Sequence, residues 1–260
     1  MFEKIIHKIT ITILSKIYLR KKEVMRLGSN YGGWSIYTTK NLSGGIVVSA
    51  GVGEDVTFDI ELIEKFGCRV FLIDPTPRAK LHYQDIVERF GKNKKSDEYS
   101  QDGQQSVLSY NLENINHNNF IFLNKAVSDK TIKNVKFFEP KNPSHVSHSL
   151  IEDLNDNNNY ILVDVISFKD LTEQLNLKNI QILKLDIEGS EVDVLKNIFK
   201  TGINVEQILV EYDLFRTRKV SAYFKVLYIS TKLLLNKYVL VNIEDLNYTF
   251  LKKSTLQNQL

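Results

Sequence analysis

Gly45-Ile46-Val47-Val48-Ser49-Ala50-Gly51-Val52-Gly53-Glu54-Asp55 is the stretch on which the fold turns. Its first half is a short apolar run rich in β-branched residues, the pattern of a strand buried on both faces. Its second half is a glycine turn. From Glu54 to Phe66, Val56, Ile60 and Ile63 fall on one helical face, and Gly67 supplies the stop. The unit then repeats. Val70-Phe71-Leu72-Ile73 reads as a strand, Asp74-Pro75-Thr76-Pro77 ends it sharply, and a helix is expected over Arg78 to Phe90.

Further along, strands are expected at Phe120–Leu123, Val135–Phe138, Tyr160–Ile166, Ile182–Asp186 and Glu206–Tyr212. Helices are expected over Lys169–Leu175, around Val192–Phe199 and over about Arg218–Leu235. Tyr238–Glu244 and Tyr248–Lys252 read as a terminal hairpin across Asp245-Leu246-Asn247. The polar stretches Gly91–Asn119 and Glu139–Asn159 read mainly as loops. Alternating strands and helices predict an α/β fold, with a mostly parallel sheet covered by helices on both faces.

The chain has 260 residues, 43 % of them apolar and 25 % charged, which is the composition of a packed globular domain. Lys and Arg number 34 against 31 Asp and Glu, a formal charge of +3. That balance excludes a polycation built for nucleic acid, so no nucleic-acid partner is expected. Cys68 is alone, which excludes a disulfide within the chain and a thiolate zinc site. No uninterrupted apolar run exceeds four residues, far short of a membrane-spanning helix. The N-terminus lacks the uncharged stretch of a secretory signal, so a cytoplasmic location is expected. Residues 1–29 read as an N-terminal segment and 30–260 as one domain. Within the first 22 residues, Phe2, Ile5, Ile6, Ile9, Ile13 and Ile17 share a stripe flanked by lysines. Such a basic amphipathic helix packs on its own domain or a second subunit, or lies on an anionic membrane surface. The sequence leaves a homo-oligomer open.

In open α/β sheets, ligands sit beyond the carboxyl ends of the strands. Here those ends carry Gly51 and Gly53 with Glu54 and Asp55, then Asp74, then Asp186, Glu188 and Glu191, then Glu211 and Asp213. Asp74 follows Gly53 by 21 residues, the spacing at which an acid receives ribose hydroxyls. The pattern fits NAD or S-adenosylmethionine. Two acids after the turn oppose a pyrophosphate, and the third glycine of the dinucleotide fingerprint is missing. S-adenosylmethionine carries no phosphate and has two positive groups that suit an acid-rich rim.

These residues resemble the FkbM family of S-adenosylmethionine-dependent methyltransferases. The likeness runs through Gly51-Val52-Gly53-Glu54-Asp55, Asp74-Pro75-Thr76-Pro77-Arg78, Ala126-Val127-Ser128-Asp129 and Lys184-Leu185-Asp186-Ile187-Glu188-Gly189-Ser190-Glu191. Tyr31-Gly32-Gly33-Trp34, His145-Val146-Ser147-His148-Ser149 and Asn247-Tyr248-Thr249-Phe250 fit the same family, so the likeness spans about residues 30–252. It implies a class I methyltransferase fold and O-methylation, often of sugars in polysaccharides, glycolipids or glycosides. The carbohydrate hydroxyl is then the acceptor. Ser49 stands where many such enzymes carry an acid, which leaves Glu54 or Asp55 to meet the cofactor amine. The expected cofactor contacts are therefore Ser49, Gly51, Gly53, Glu54, Asp55, Asp74, Ala126 and Asp186.

The sulfonium methyl is already activated, so its transfer to a hydroxyl needs alignment and removal of one proton. His145 and His148 have the right intrinsic pKa for that base, and Asp186 and Glu188 are expected to orient the ligands. Asp186 with Glu211 offers hard oxygens for Mg²⁺, although a metal-free reaction is the leading expectation. Two other readings fit the same residues: a non-catalytic Rossmann-like docking module, and an NAD-dependent enzyme acting on sugar nucleotides.

Overall fold

The computed structural model describes residues 10, 12–15, 17–19, 23–96, 98–140, 147–151, 154 and 159–257. The apolar run that opens the sequence argument becomes strand β3 (Ile46–Ala50), paired in parallel with β4 (Arg69–Ile73) and β9 (Asn179–Leu185). β5 (Phe120–Leu123) extends this sheet beyond β4, and β10 (Asn204–Glu211) extends it beyond β9. The terminal hairpin of β11 (Tyr238–Glu244) and β12 (Asn247–Lys252) closes the sheet, with β12 antiparallel to β10. The order of the seven strands is β11-β12-β10-β9-β3-β4-β5. That is the class I methyltransferase arrangement, and its switch point lies between β3 and β9.

Neighbouring residues of the strands face opposite layers, as a period of two requires. Val47, Val70 and Ile182 pack with Phe58 and Leu62 of α1 (Thr57–Phe66) and Ile86 of α2 (Pro77–Val87). Val48, Leu183 and Val210 pack on the other face. Their partners are Leu171 of α3 (Phe168–Gln174), Leu195 of α4 (Glu191–Thr201) and Val226 of α5 (Val220–Leu235). Each such aliphatic contributes roughly 1.5–3 kcal/mol by leaving water.

Several boundaries differ from the sequence reading for local reasons. α1 begins at Thr57 and not at Glu54, because the Asp55 carboxylate takes the Thr57 N–H at 3.0 Å. α2 begins at Pro77, capped by the Thr76 hydroxyl, which accepts from the Ala79 N–H. The strand expected at Val135 starts at Ile132. As β7 (Ile132–Phe138) it joins β8 (Tyr160–Ser167) and the short β6 (Ala126–Ser128) in a separate three-stranded sheet. An added hairpin of β1 (Val24–Leu27) and β2 (Trp34–Tyr37) carries the fold into the stretch assigned to the segment 1–29.

Part of the expected N-terminal helix, including residues 1–9, lies outside the described residues. Within the described part, Leu14 is buried in the main core, and the Leu19 N–H donates to the Leu240 carbonyl at 2.8 Å. Here the helix packs on its own domain. Among the described residues, no helix is long and apolar enough to cross a membrane.

Candidate active site

β3 and β9 run side by side to their carboxyl ends, where Gly51 turns with φ +75°. A Cβ on Gly51 would sit 1.5 Å from the Asp186 carbonyl oxygen, so only glycine allows the two chain segments to meet. Beneath them lies Lys184, a buried lysine in the middle of the sheet. Its ammonium donates to the Gly51 carbonyl at 2.6 Å and stands 3.4 Å from the Asp186 carboxylate. It also lies 5.4 Å from the centre of the Trp34 ring. On α1, burial pushes the Asp59 carboxyl up to about 6, while Lys184 pulls it back.

The two acids nearest the turn are consumed by the chain itself. Asp74 Oδ2 accepts from the Val52 and Gly53 N–H groups at 3.1 and 3.0 Å. Its Oδ1 accepts from the Thr76 N–H and hydroxyl at 2.8 and 2.6 Å. Asp55 repeats the device: Oδ1 accepts from the Thr57 N–H and hydroxyl, and Oδ2 from Ser29 Oγ and Gln105 Nε2. A carboxylate has about four lone-pair positions, and in each case all four are used. Asp74, expected as the ribose acceptor, fixes the glycine turn and lines the cavity. Asp55 ties the turn to the Ser29 loop, where Ser29 Oγ in turn accepts from the N–H groups of Tyr31 and Gly32. Glu54 is held by Arg78 at 2.5 Å.

A cavity of about 410 Å³ opens over this junction. Its lining includes Gly51, Gly53, Glu54, Asp55 and Asp74 from the glycine turn and its surroundings, Ala126, and the acids Asp186, Glu188 and Glu211. Ser49 is fully buried in β3 and is not among the lining residues. His148 lines the cavity with its ring stacked on Phe137 at 5.6 Å. His145 lies outside the described residues.

The rim around Asp186 is crowded with acids. Asp186, Glu188 and Asp213 bring oxygens all within 4.8 Å of one another. Glu188 reaches the group from a backbone at φ +51°, and its carbonyl accepts from Ser149 Oγ at 2.5 Å. Glu191 is fully buried and accepts from the Gly189 N–H at 2.7 Å. Arg216 serves two of the acids, Glu211 at 2.5 Å and Asp213 at 2.9 Å. Burial, followed by the Asp186 charge, pushes the Glu211 carboxyl up to about 7. Burial likewise raises Glu188, and raises Glu191 and Asp213 well above the carboxylate range.

Lys184 and Arg216 are the site residues that the sequence reading missed. A lysine between Leu183 and Leu185 in an otherwise apolar strand was the available signal for the first. Arg216 lies in a short 3-10 turn after β10, where nothing in the local pattern distinguishes it.

The family model described as the methyltransferase FkbM domain matches residues 48–248. The chain belongs to the FkbM methyltransferase family. This FkbM-domain protein is thus a methyltransferase, and its matched region runs from the glycine turn through the acid rim to the terminal hairpin. No curated protein sequence matches it significantly. Among solved structures it is similar to a Methanococcus jannaschii fibrillarin pre-rRNA processing protein, at 10 % identity and a TM-score of 0.39. That match covers 83 % of this chain and 70 % of the other.

Proposed function

We propose that this methyltransferase takes its methyl group from S-adenosylmethionine and places it on a hydroxyl of a carbohydrate-containing acceptor. The observation that carries the donor is the state of the glycine turn. The N–H groups of Gly51, Val52 and Gly53 are bound by the Ile73 carbonyl and the Asp74 carboxylate. A turn whose donors are spent on a carboxylate has nothing to offer a pyrophosphate, which argues against NAD. It suits a ligand with positive groups. Since Asp55 is saturated, Glu54 is the acid left to meet the cofactor amine.

The methyl group would then point along the cavity toward the rim, where Asp186 and Glu188 face an acceptor hydroxyl. His148 is the proposed base, because it is the one described histidine that lines the cavity. Attack by the hydroxyl oxygen on the methyl carbon breaks the carbon–sulfur bond, and the hydroxyl proton passes to the His148 ring. The carbohydrate class of acceptor rests on the family alone. A docking module has no use for buried carboxyls such as Glu188 and Glu211 lining a cavity, so the enzymatic reading is preferred.

Isothermal titration with S-adenosylmethionine and with NAD⁺ tests the donor; binding of NAD⁺ in preference, or of neither, would overturn it. Transfer of labelled methyl groups into cell-envelope glycan fractions tests the acceptor. Label that stays out of every glycan fraction would count against the carbohydrate class.

A further inference from the structure

We propose that the acid rim holds one hard divalent cation, ligated by Asp186, Glu188 and Asp213. The purpose of the ion rests on the methyl-transfer reading, whereas its binding does not.

The three ligands come from separate places that the fold brings together. Asp186 closes β9, Glu188 follows in the left-handed turn, and Asp213 opens the 3-10 turn after β10. Their oxygens lie within 4.8 Å of one another. Asp213 supplies an independent sign of a missing partner. Its side chain has no exposure to solvent, Oδ1 meets Arg216 Nε, and Oδ2 meets no donor among the described residues. A buried carboxylate oxygen with nothing to bind is rare and costly.

Among the described residues the charge is not balanced. Asp186, Glu188, Glu191, Glu211 and Asp213 gather here, against Arg216 and Lys184. Both cations are already engaged, Arg216 by two acids and Lys184 by the Gly51 carbonyl and Asp186. The sequence pairs Asp186 with Glu211 as a metal site; in the structure Asp213 is the acid whose oxygen comes within reach of both Asp186 and Glu188.

Spacing and donor type select the ion. An all-oxygen set favours Mg²⁺, Mn²⁺ or Ca²⁺ over softer metals. Ca²⁺ bonds of about 2.3–2.6 Å allow opposed oxygens to stand about 5 Å apart, whereas Mg²⁺ bonds of about 2.0–2.1 Å allow about 4 Å. The present spread suits the larger ion better, and the smaller one needs the greater contraction. Because Asp186 and Glu188 line the cavity, the ion would face the acceptor and polarise its hydroxyl.

The test is Mn²⁺ binding to the full chain without cofactor, read by electron paramagnetic resonance and calorimetry. One saturable Mn²⁺ per chain is expected, displaced by Mg²⁺ or Ca²⁺. Asp213→Asn and Glu188→Gln should each weaken it by at least about tenfold. Glu188 lines the cavity, so its variant serves if the buried Asp213 variant does not fold. Absence of saturable Mn²⁺ binding by the wild type, or undiminished binding by the variants, would overturn the site. Parallel titration with S-adenosylmethionine separates the two proposals. Cofactor binding without Mn²⁺ binding refutes the ion alone, and Mn²⁺ binding without cofactor binding refutes the donor alone.

Discussion

Replacing Gly51 by alanine tests the junction of β3 and β9 with a single methyl group. The new Cβ would lie 1.5 Å from the Asp186 carbonyl oxygen, less than half a normal contact. Neither segment can retreat easily. The Gly51 N–H is bound to the Ile73 carbonyl at 2.9 Å, and the Asp186 N–H to the Ala50 carbonyl at 3.1 Å. The left-handed backbone adds roughly 1–2 kcal/mol for any residue with a Cβ. Overpacking against fixed backbone adds roughly 1–3 kcal/mol. The sum, about 2–5 kcal/mol, corresponds to a fall in melting temperature of roughly 4–20 °C for a domain of this size. Gly67 provides the control. It too has a positive φ, at +64°, but a Cβ there meets nothing within 4 Å. Gly67→Ala should therefore lose only the backbone component. Thermal unfolding followed by circular dichroism reads both variants. If Gly51→Ala melts at the same temperature as Gly67→Ala, the close approach of the two strand ends is wrong.

Four further outcomes are expected. His148→Ala should lower methyl transfer by roughly 10²–10⁴-fold with cofactor affinity nearly unchanged, as measured by turnover and calorimetry; full activity would remove it as the base. Asp74→Asn should weaken S-adenosylmethionine binding by loosening the turn, a charge-assisted contact of roughly 1.5–3 kcal/mol, and unaltered affinity in calorimetry would refute this. The Glu211 carboxyl is raised from 4.5 to about 7 in the folded state, so between those values the native protein holds the extra proton. Stability should then fall as pH rises through that window, and Glu211→Gln should flatten the fall in urea titrations with EDTA present. Leu14→Ala should destabilise the domain by roughly 2–5 kcal/mol in urea unfolding, whereas a helix that only visits membranes would leave stability untouched.

The central sheet was legible because β3, β4, β9 and β10 are short apolar runs bounded by glycine, proline or acids. The β1–β2 hairpin was not, since Met25 and Arg26 are exposed and leave too weak an alternation. β6 has three residues, too few for any period to register. Sequence spacing located Asp55 and Asp74 correctly at the strand ends, and both line the cavity. It could not reveal that each is followed two residues later by a threonine that shares its carboxylate. The rim acids were visible as a cluster along the chain. Asp213 was visible among them two residues after Glu211, but its close approach to Asp186 and Glu188 comes from the fold.

The paired Asp-x-Thr corners have a consequence for how fast and how tightly a ligand is received. A glycine turn left to itself samples many conformations, and a ligand that orders it pays an entropic penalty on arrival. Here the penalty has been met during folding. Each corner is locked by four hydrogen bonds to its own aspartate before any ligand comes. The empty and filled forms should therefore share one backbone over Gly51–Thr57 and Asp74–Thr76. Amide hydrogen exchange in these two corners should already be slow in the free protein, and saturation with ligand should slow it little further.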